Sequence, residues 1–100
     1  MQKIIAKYSK TGPMIYISQL DLLRVFQRAL RRAQVPFVLT KGFNPRPRIS
    51  FKRALKLGVE SFDEEVTFYL EPPLEPELFR QKLQKELPQG IEILSVKSEF

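Results

Sequence analysis

The hydrophobic positions of this chain switch between a period of two and a period near 3.6, and each switch predicts an element. From Lys3 to Ser9, Ile4, Ala6 and Tyr8 alternate with Lys3, Ile5 and Lys7, the pattern of a strand. A Thr11-Gly12-Pro13 turn follows, after which Met14 to Ile17 resumes the extended apolar pattern. Ser18 suits a helix N-cap, and Asp21 three positions on can answer it as a short capping box. Leu22, Leu23, Phe26, Ala29, Leu30 and Ala33 then gather on one side of a helix, with Arg24, Arg28, Arg31 and Arg32 on the other.

Pro36 stops that helix, and Phe37 to Thr40 reads as a short strand leading into Lys41-Gly42-Phe43-Asn44-Pro45-Arg46-Pro47-Arg48. Two prolines at alternate positions forbid helix there and favour an extended path. Ile49 to Leu57 and Glu65 to Leu70 read as strands, with Val66, Phe68 and Leu70 inward, Glu65, Thr67 and Tyr69 outward, and Gly58 to Glu64 as their hairpin loop. Pro76 suits the first turn of a second helix running to Leu87, with Phe79, Leu83 and Leu87 on one face, and Pro88-Gln89-Gly90 ends it. Ile91 to Val96 closes as a last strand. The order is strand, helix, strand, strand, helix, strand. It predicts an α+β, ferredoxin-like βαββαβ domain with both helices on one face of an antiparallel sheet. One hundred residues are enough for one such domain, residues 1–100, with a modest core.

Charge adds what periodicity cannot. Met1 to Gly58 holds thirteen lysines and arginines against one acid, Asp21, whereas Val59 to Phe100 holds four against ten, so the two parts carry +12 and −6. A basic part this poorly neutralised attracts polyanions, which makes nucleic acid the first candidate partner. The change of sign near Gly58 falls between two strands expected to pair, so it is polarity within one domain. Oppositely charged parts also allow head-to-tail self-association.

The chain has no cysteine and no histidine. Thiolate and imidazole metal sites, a cysteine nucleophile and imidazole acid–base chemistry are thereby excluded, and no cofactor is expected. No apolar run approaches the roughly 18 residues of a spanning helix, and the N-terminus lacks a signal-peptide pattern. The expectation is a cytoplasmic protein without a membrane partner.

The segment Gly42 to Arg53 interleaves Phe43 and Phe51 with Arg46, Arg48, Lys52 and Arg53. Arginines fork onto phosphates, aromatic rings stack on unpaired bases, and Asn44 can meet a base edge or cap its own turn. The alternative is that Phe43 and Phe51 anchor the loop in the core and the arginines are merely solvated. The helix stripe Arg24, Arg28, Arg31 and Arg32 has no glutamate four residues away, so it is either a solvated back or a surface for a polyanion. Lys7, Tyr8 and Lys10 beside the first turn are candidates to extend it. Lys10-Thr11-Gly12 lacks the serine motif of penicillin-binding enzymes and the glycines of a phosphate-binding loop. The run Asp63-Glu64-Glu65 reads as a solvated loop or as partners for Lys56 and its neighbours, not as a catalytic pair or a magnesium site.

Three motifs in order, Tyr8-Ser9-Lys10-Thr11-Gly12-Pro13, Ile17 to Leu22 with Phe26 to Ala33, and Gly42 to Phe51, give the chain a resemblance to a bacterial family of unknown function. Its members occur beside, or fused to the C-terminus of, radical SAM proteins, and usually run longer, so this chain is similar to their N-terminal part or to a short form of them. The resemblance implies an accessory domain serving a radical SAM enzyme, and the family's genetic company with ribosomal proteins and a ribonuclease implies RNA. The family often has histidine where Gln19 and Arg46 stand; a metal or proton role of those histidines would be lost here, whereas phosphate contact or helix capping would survive. The fold order also resembles the RNA-binding modules of CRISPR RNA processing. The functional expectation is a non-catalytic RNA-binding or accessory domain, with a protein-interaction module docking on a radical SAM partner as the competing expectation.

Overall fold

The computed structural model describes residues 1–100. Strand β1 spans Gln2–Lys10, helix α1 Gln19–Ala33, β2 Ile49–Phe51, β3 Ser61–Leu70, α2 Pro76–Gln84 and β4 Ile91–Glu99. The four strands form one sheet in the order β2-β3-β1-β4, all neighbours antiparallel. This is the α+β arrangement that the order of periodicities predicts. No helix is long and apolar enough to cross a membrane.

One face of the sheet carries Ile4, Ala6 and Tyr8 of β1, Val66, Phe68 and Leu70 of β3, and Ile91 and Ile93 of β4, all buried. Leu22, Phe26, Ala29 and Leu30 of α1 and Phe79 and Leu83 of α2 close the same core, so both helices cover one face. Phe26 sits at its centre, edge-on to Tyr8 at 5.5 Å and to Phe68 at 5.6 Å between ring centroids. Such geometry adds about 0.5–1.5 kcal/mol per pair beyond burial. The other face, with Ser50, Thr67 and Tyr69, has no helix over it.

Ser18 caps α1 as expected, its Oγ accepting from the Asp21 amide at 3.0 Å. Gln34, in the left-handed region at φ 56°, ends the helix before Pro36 is reached. Elsewhere local pattern yields to tertiary contacts. Met14 to Ile17 does not resume a strand: Gly12–Tyr16 forms a 3₁₀ helix, because Pro13 presets its first turn and the Ile17 amide closes on Met14 O. Gly90 packs so tightly on this turn that a Cβ there would lie 2.5 Å from Thr11 O, so only glycine fits.

The strand expected over Ile49–Leu57 is only three residues long. Beyond Phe51 the chain leaves the sheet edge because the Leu55 amide is taken by Gln19 Oε1 at 3.2 Å and the Leu55 side chain packs on the core. The connection is therefore the segment 52–60, and β3 begins at Ser61, inside the stretch expected to be loop. α2 ends at Gln84, three residues short of Leu87, and its last turn unwinds through hydrogen bonds from Glu86 to Leu83 and from Leu87 to Gln84. The Gln84 side chain turns to β4: Nε2 donates to Ile91 O at 3.1 Å and Oε1 accepts from the Ile93 amide at 2.7 Å. β4 extends past Val96 to Glu99, held by pairing with β1 as far as Lys3.

Candidate nucleic-acid interface

The residues between α1 and β2 build a small hairpin. Phe37 bridges to Leu70, the Arg48 amide donates to Val38 O, and the Thr40 amide donates to Arg46 O, both at 2.7 Å. Leu39 faces Pro47 across this ribbon, and the Arg46 amide also donates to Thr40 Oγ1 at 3.1 Å. Residues 41–45 form its tip, where Gly42 at φ 124° supplies a backbone angle that other residues rarely adopt. Pro45 and Pro47 restrict the returning arm, so little entropy remains to be lost when a ligand binds.

Phe43 and Phe51, equivalent by composition, have opposite fates. Phe43 is fully exposed at the tip, between Gly42 and Asn44, which are also exposed. Phe51 turns inward, with its ring 5.9 Å from Phe26 and 6.4 Å from Tyr8. Pairing of Ile49 with Phe68 and of Phe51 with Val66 sets both on the helix-covered face. Phe51 is therefore a packing residue, partly buried against the core, which corrects its place among the candidate contacts.

The hairpin leans on α1. Gln27 Nε2 donates to Pro47 O at 3.4 Å, and the Arg31 guanidinium lies over the Phe37 ring at 5.6 Å. Of the helix stripe, Arg31 thus lies beside the hairpin, whereas Arg28 and Arg32 line a groove toward the end of α2. Arg28, Arg31 and Arg32 are exposed and take part in none of the ion pairs of the fold. Arg24 differs: Asp21, one turn earlier, pairs with it at 3.5 Å, both side chains being 57% exposed. Lys41, Asn44 and Arg46 are exposed on the hairpin. Arg48 reaches the uncovered face of the sheet, centred 4.1 Å over the Tyr69 ring, whose hydroxyl shares a hydrogen bond with Ser50 Oγ at 3.0 Å.

The remaining candidates belong to a different environment. Arg53 forks onto Glu64, Nε to Oε1 at 2.9 Å and a terminal nitrogen to Oε2 at 2.8 Å, while Ser61 Oγ also donates to that carboxylate. Arg53 holds the Glu64 carboxyl below its ordinary pKa; burial opposes this but does not prevail. Lys52 is exposed and lies in a hollow shared with Lys7, Arg53, Asp63, Glu64 and Glu65, among as many acids as cations. Lys7 is engaged by Asp63 at 3.2 Å and by Glu65 at 3.7 Å, and its hydrogen bond to Asp63 raises its pKa. Tyr8 is buried, which pushes its hydroxyl pKa up. Lys10 is buried with Nζ donating to Ile17 O at 2.9 Å, and burial lowers its pKa. None of Lys7, Tyr8 and Lys10 extends the basic surface. Nor does Lys56 take the acids of the Asp63 run, which pair instead with Lys7 and Arg53.

Gln19 and Arg46 occupy distinct settings. Gln19 ties the first residue of α1 to the 52–60 segment, and its Nε2 is buried with no partner; Arg46 is exposed on the hairpin. No group of three or more metal-ligating side chains gathers anywhere. Sequence reading missed Gln27, Phe37 and Tyr69, which position the arginines. Only the outward parity of Tyr69 hinted at its place.

The fold and this surface define a class, a ferredoxin-like α+β domain bordered by a hairpin and a helix rich in free cations. A family model described as an uncharacterized protein conserved in bacteria (DUF2344) matches residues 3–99, and the chain belongs to that family. No curated protein matches it.

Proposed function

We propose that this domain is a non-catalytic RNA-binding module that serves as accessory to a radical SAM enzyme, gripping single-stranded RNA along the hairpin and the back of α1. The observation that carries the reading is the fully exposed Phe43 ring at the tip of a proline-stiffened hairpin, flanked by Lys41 and Arg46. Cations supply affinity for phosphates with little sequence choice, and an exposed ring supplies a stacking surface for an unpaired base. Arg31 would continue the phosphate track from the hairpin onto the helix, and Arg28 and Arg32 would carry it round toward the end of α2. The radical SAM link rests on the sequence resemblance.

Fluorescence anisotropy of labelled single-stranded RNA between about 50 and 300 mM salt tests the reading. For single strands the log–log slope is about −0.7 per neutralised phosphate. A wild-type slope near −3, shallower by about 1.4 in a Lys41→Ala/Arg46→Ala variant, supports it. Absence of binding at low salt, or a slope that the variant leaves unchanged, refutes it.

A second reading, docking of an acidic protein segment on the radical SAM partner, draws on a groove of about 430 Å³ between α1 and the end of α2. Met14, Val25 and Leu87 give it apolar walls, and Arg28, Arg32 and Lys85, against the single acid Glu86, give it a net cationic rim. A stoichiometric protein complex that survives high salt favours this reading over RNA.

A further inference from the structure

Arg48 stands apart from the other cations of the hairpin. Its guanidinium carbon lies 4.1 Å over the centre of the Tyr69 ring, and Tyr69 is itself held by the Ser50 hydroxyl and only 7% exposed. An open hollow of about 500 Å³ adjoins it, bordered by Met1, Val38, Leu39, Thr40, Lys41 and Arg48. That volume lies in the roughly 300–1,000 Å³ range of small-ligand sites. Arg48 lines the hollow and Tyr69 does not. Arg48 thus touches the Tyr69 ring and also borders an open, partly apolar space.

We infer that the Arg48 guanidinium, backed by Tyr69, is a stacking platform for one unpaired nucleobase seated in this hollow. A guanidinium plane stacks on bases as aromatic rings do, and an arginine already held flat loses little freedom in doing so. Val38 and the half-exposed Leu39 offer apolar contact to the base, and Lys41 is placed for the adjoining phosphate. The inference rests on the RNA reading above and deepens it. Phe43 and Arg48 become two separate stacking points on one hairpin, and Arg48 ceases to be a simple phosphate contact.

The test uses single-stranded RNA carrying one 2-aminopurine, whose fluorescence is quenched on stacking, together with an Arg48→Lys variant that keeps the charge and removes the plane. The platform predicts quenching by the wild type, and in the variant loss of that quenching and about tenfold weaker binding, the size of one stacking contact, at an unchanged salt slope. Ser50→Ala, which loosens Tyr69 without touching any cation, should show a smaller change in the same direction. An Arg48→Lys variant that binds and quenches like the wild type overturns the platform while leaving RNA binding intact. An Arg48→Ala variant whose slope is shallower by about 0.7, with Arg48→Lys restoring wild-type affinity and quenching, also overturns it, returning Arg48 to phosphate contact. If the wild type binds no RNA, the RNA reading itself fails and the platform falls with it. Equal quenching of free 2-aminopurine ribonucleoside monophosphate at the same concentration would assign the hollow to a mononucleotide and overturn the RNA assignment.

Discussion

Arg31 and Arg53 are both exposed, yet one lies over an aromatic ring in no ion pair and the other is forked by Glu64. The contrast extends to their regions. Around the hairpin and α1, Lys41, Arg28, Arg31, Arg32 and Arg46 have no acidic partner, whereas at the other end of β1 and β3, Lys7 and Arg53 are held by Asp63, Glu65 and Glu64. The reason is topological. The strand order β2-β3-β1-β4 sets β3, from the acidic part of the chain, between two strands of the basic part. The sheet therefore cancels charge that the linear sequence keeps apart. Helix α1 and the hairpin lie outside that alternation and retain theirs.

The contrast breaks most visibly at the two phenylalanines. Phe51→Ala should cost about 2–4 kcal/mol, since it hollows out the ring cluster of Tyr8 and Phe26, whereas Phe43→Ala should leave stability within about 0.5 kcal/mol and weaken RNA binding instead. Denaturant midpoints of the two variants check this, and equal losses would erase the distinction between the regions. Next in size is a paired comparison of arginine and lysine removals. Arg28→Ala/Arg31→Ala/Arg32→Ala should flatten the RNA salt slope by about 2, while Lys7→Ala/Arg80→Ala, which removes cations already engaged by Asp63 and, one turn earlier on α2, by Glu77, should not change it.

A smaller effect tests the paired region through pH. The Glu64 pKa is depressed in the fold, so the stability it contributes is fully present above its ordinary value of 4.5 and is lost as pH falls through the lower folded value. Glu64→Gln should therefore cost about 1–2 kcal/mol at pH 7, a modest figure because Arg53 is 67% exposed and solvent screens it. The gap between variant and wild type should narrow steadily below pH 4.5 in denaturant titrations. Smallest of all, Asp63→Asn should leave the denaturation midpoint unchanged, because Asp63 is 84% exposed and Lys7 keeps Glu65.

The elements legible in the sequence were those with a long, uninterrupted period: α1 with its Ser18 cap, β1, β3 and α2. Where a single distant contact decides, local pattern had nothing to read. Gln19 drawing Leu55 off the sheet edge is a contact across 36 residues, and it shortens β2 to a third of its apolar run. The candidate surface was legible as chemistry but not as geometry. That Arg46 and Arg48 share a neighbourhood with Arg31 follows from Gln27 meeting Pro47, which no spacing rule contains. The inward turn of Phe51 was closer to legible, since Ile49-Ser50-Phe51 alternates and Ile49 is apolar. The partner of Arg53 was not, because Glu64 sits in a segment that reads as loop until β3 is seen to start at Ser61.

The Gln84 amide has a consequence at the far edge of the sheet. By giving one bond to Ile91 O and taking one from the Ile93 amide, it imitates the pairing of a missing fifth strand for a single step. A second polypeptide seeking to add itself to β4 would find those positions filled, and further along it would meet the Lys97 and Glu99 side chains. One side-chain amide thus closes the start of an edge that would otherwise be an open template for fibre-like growth.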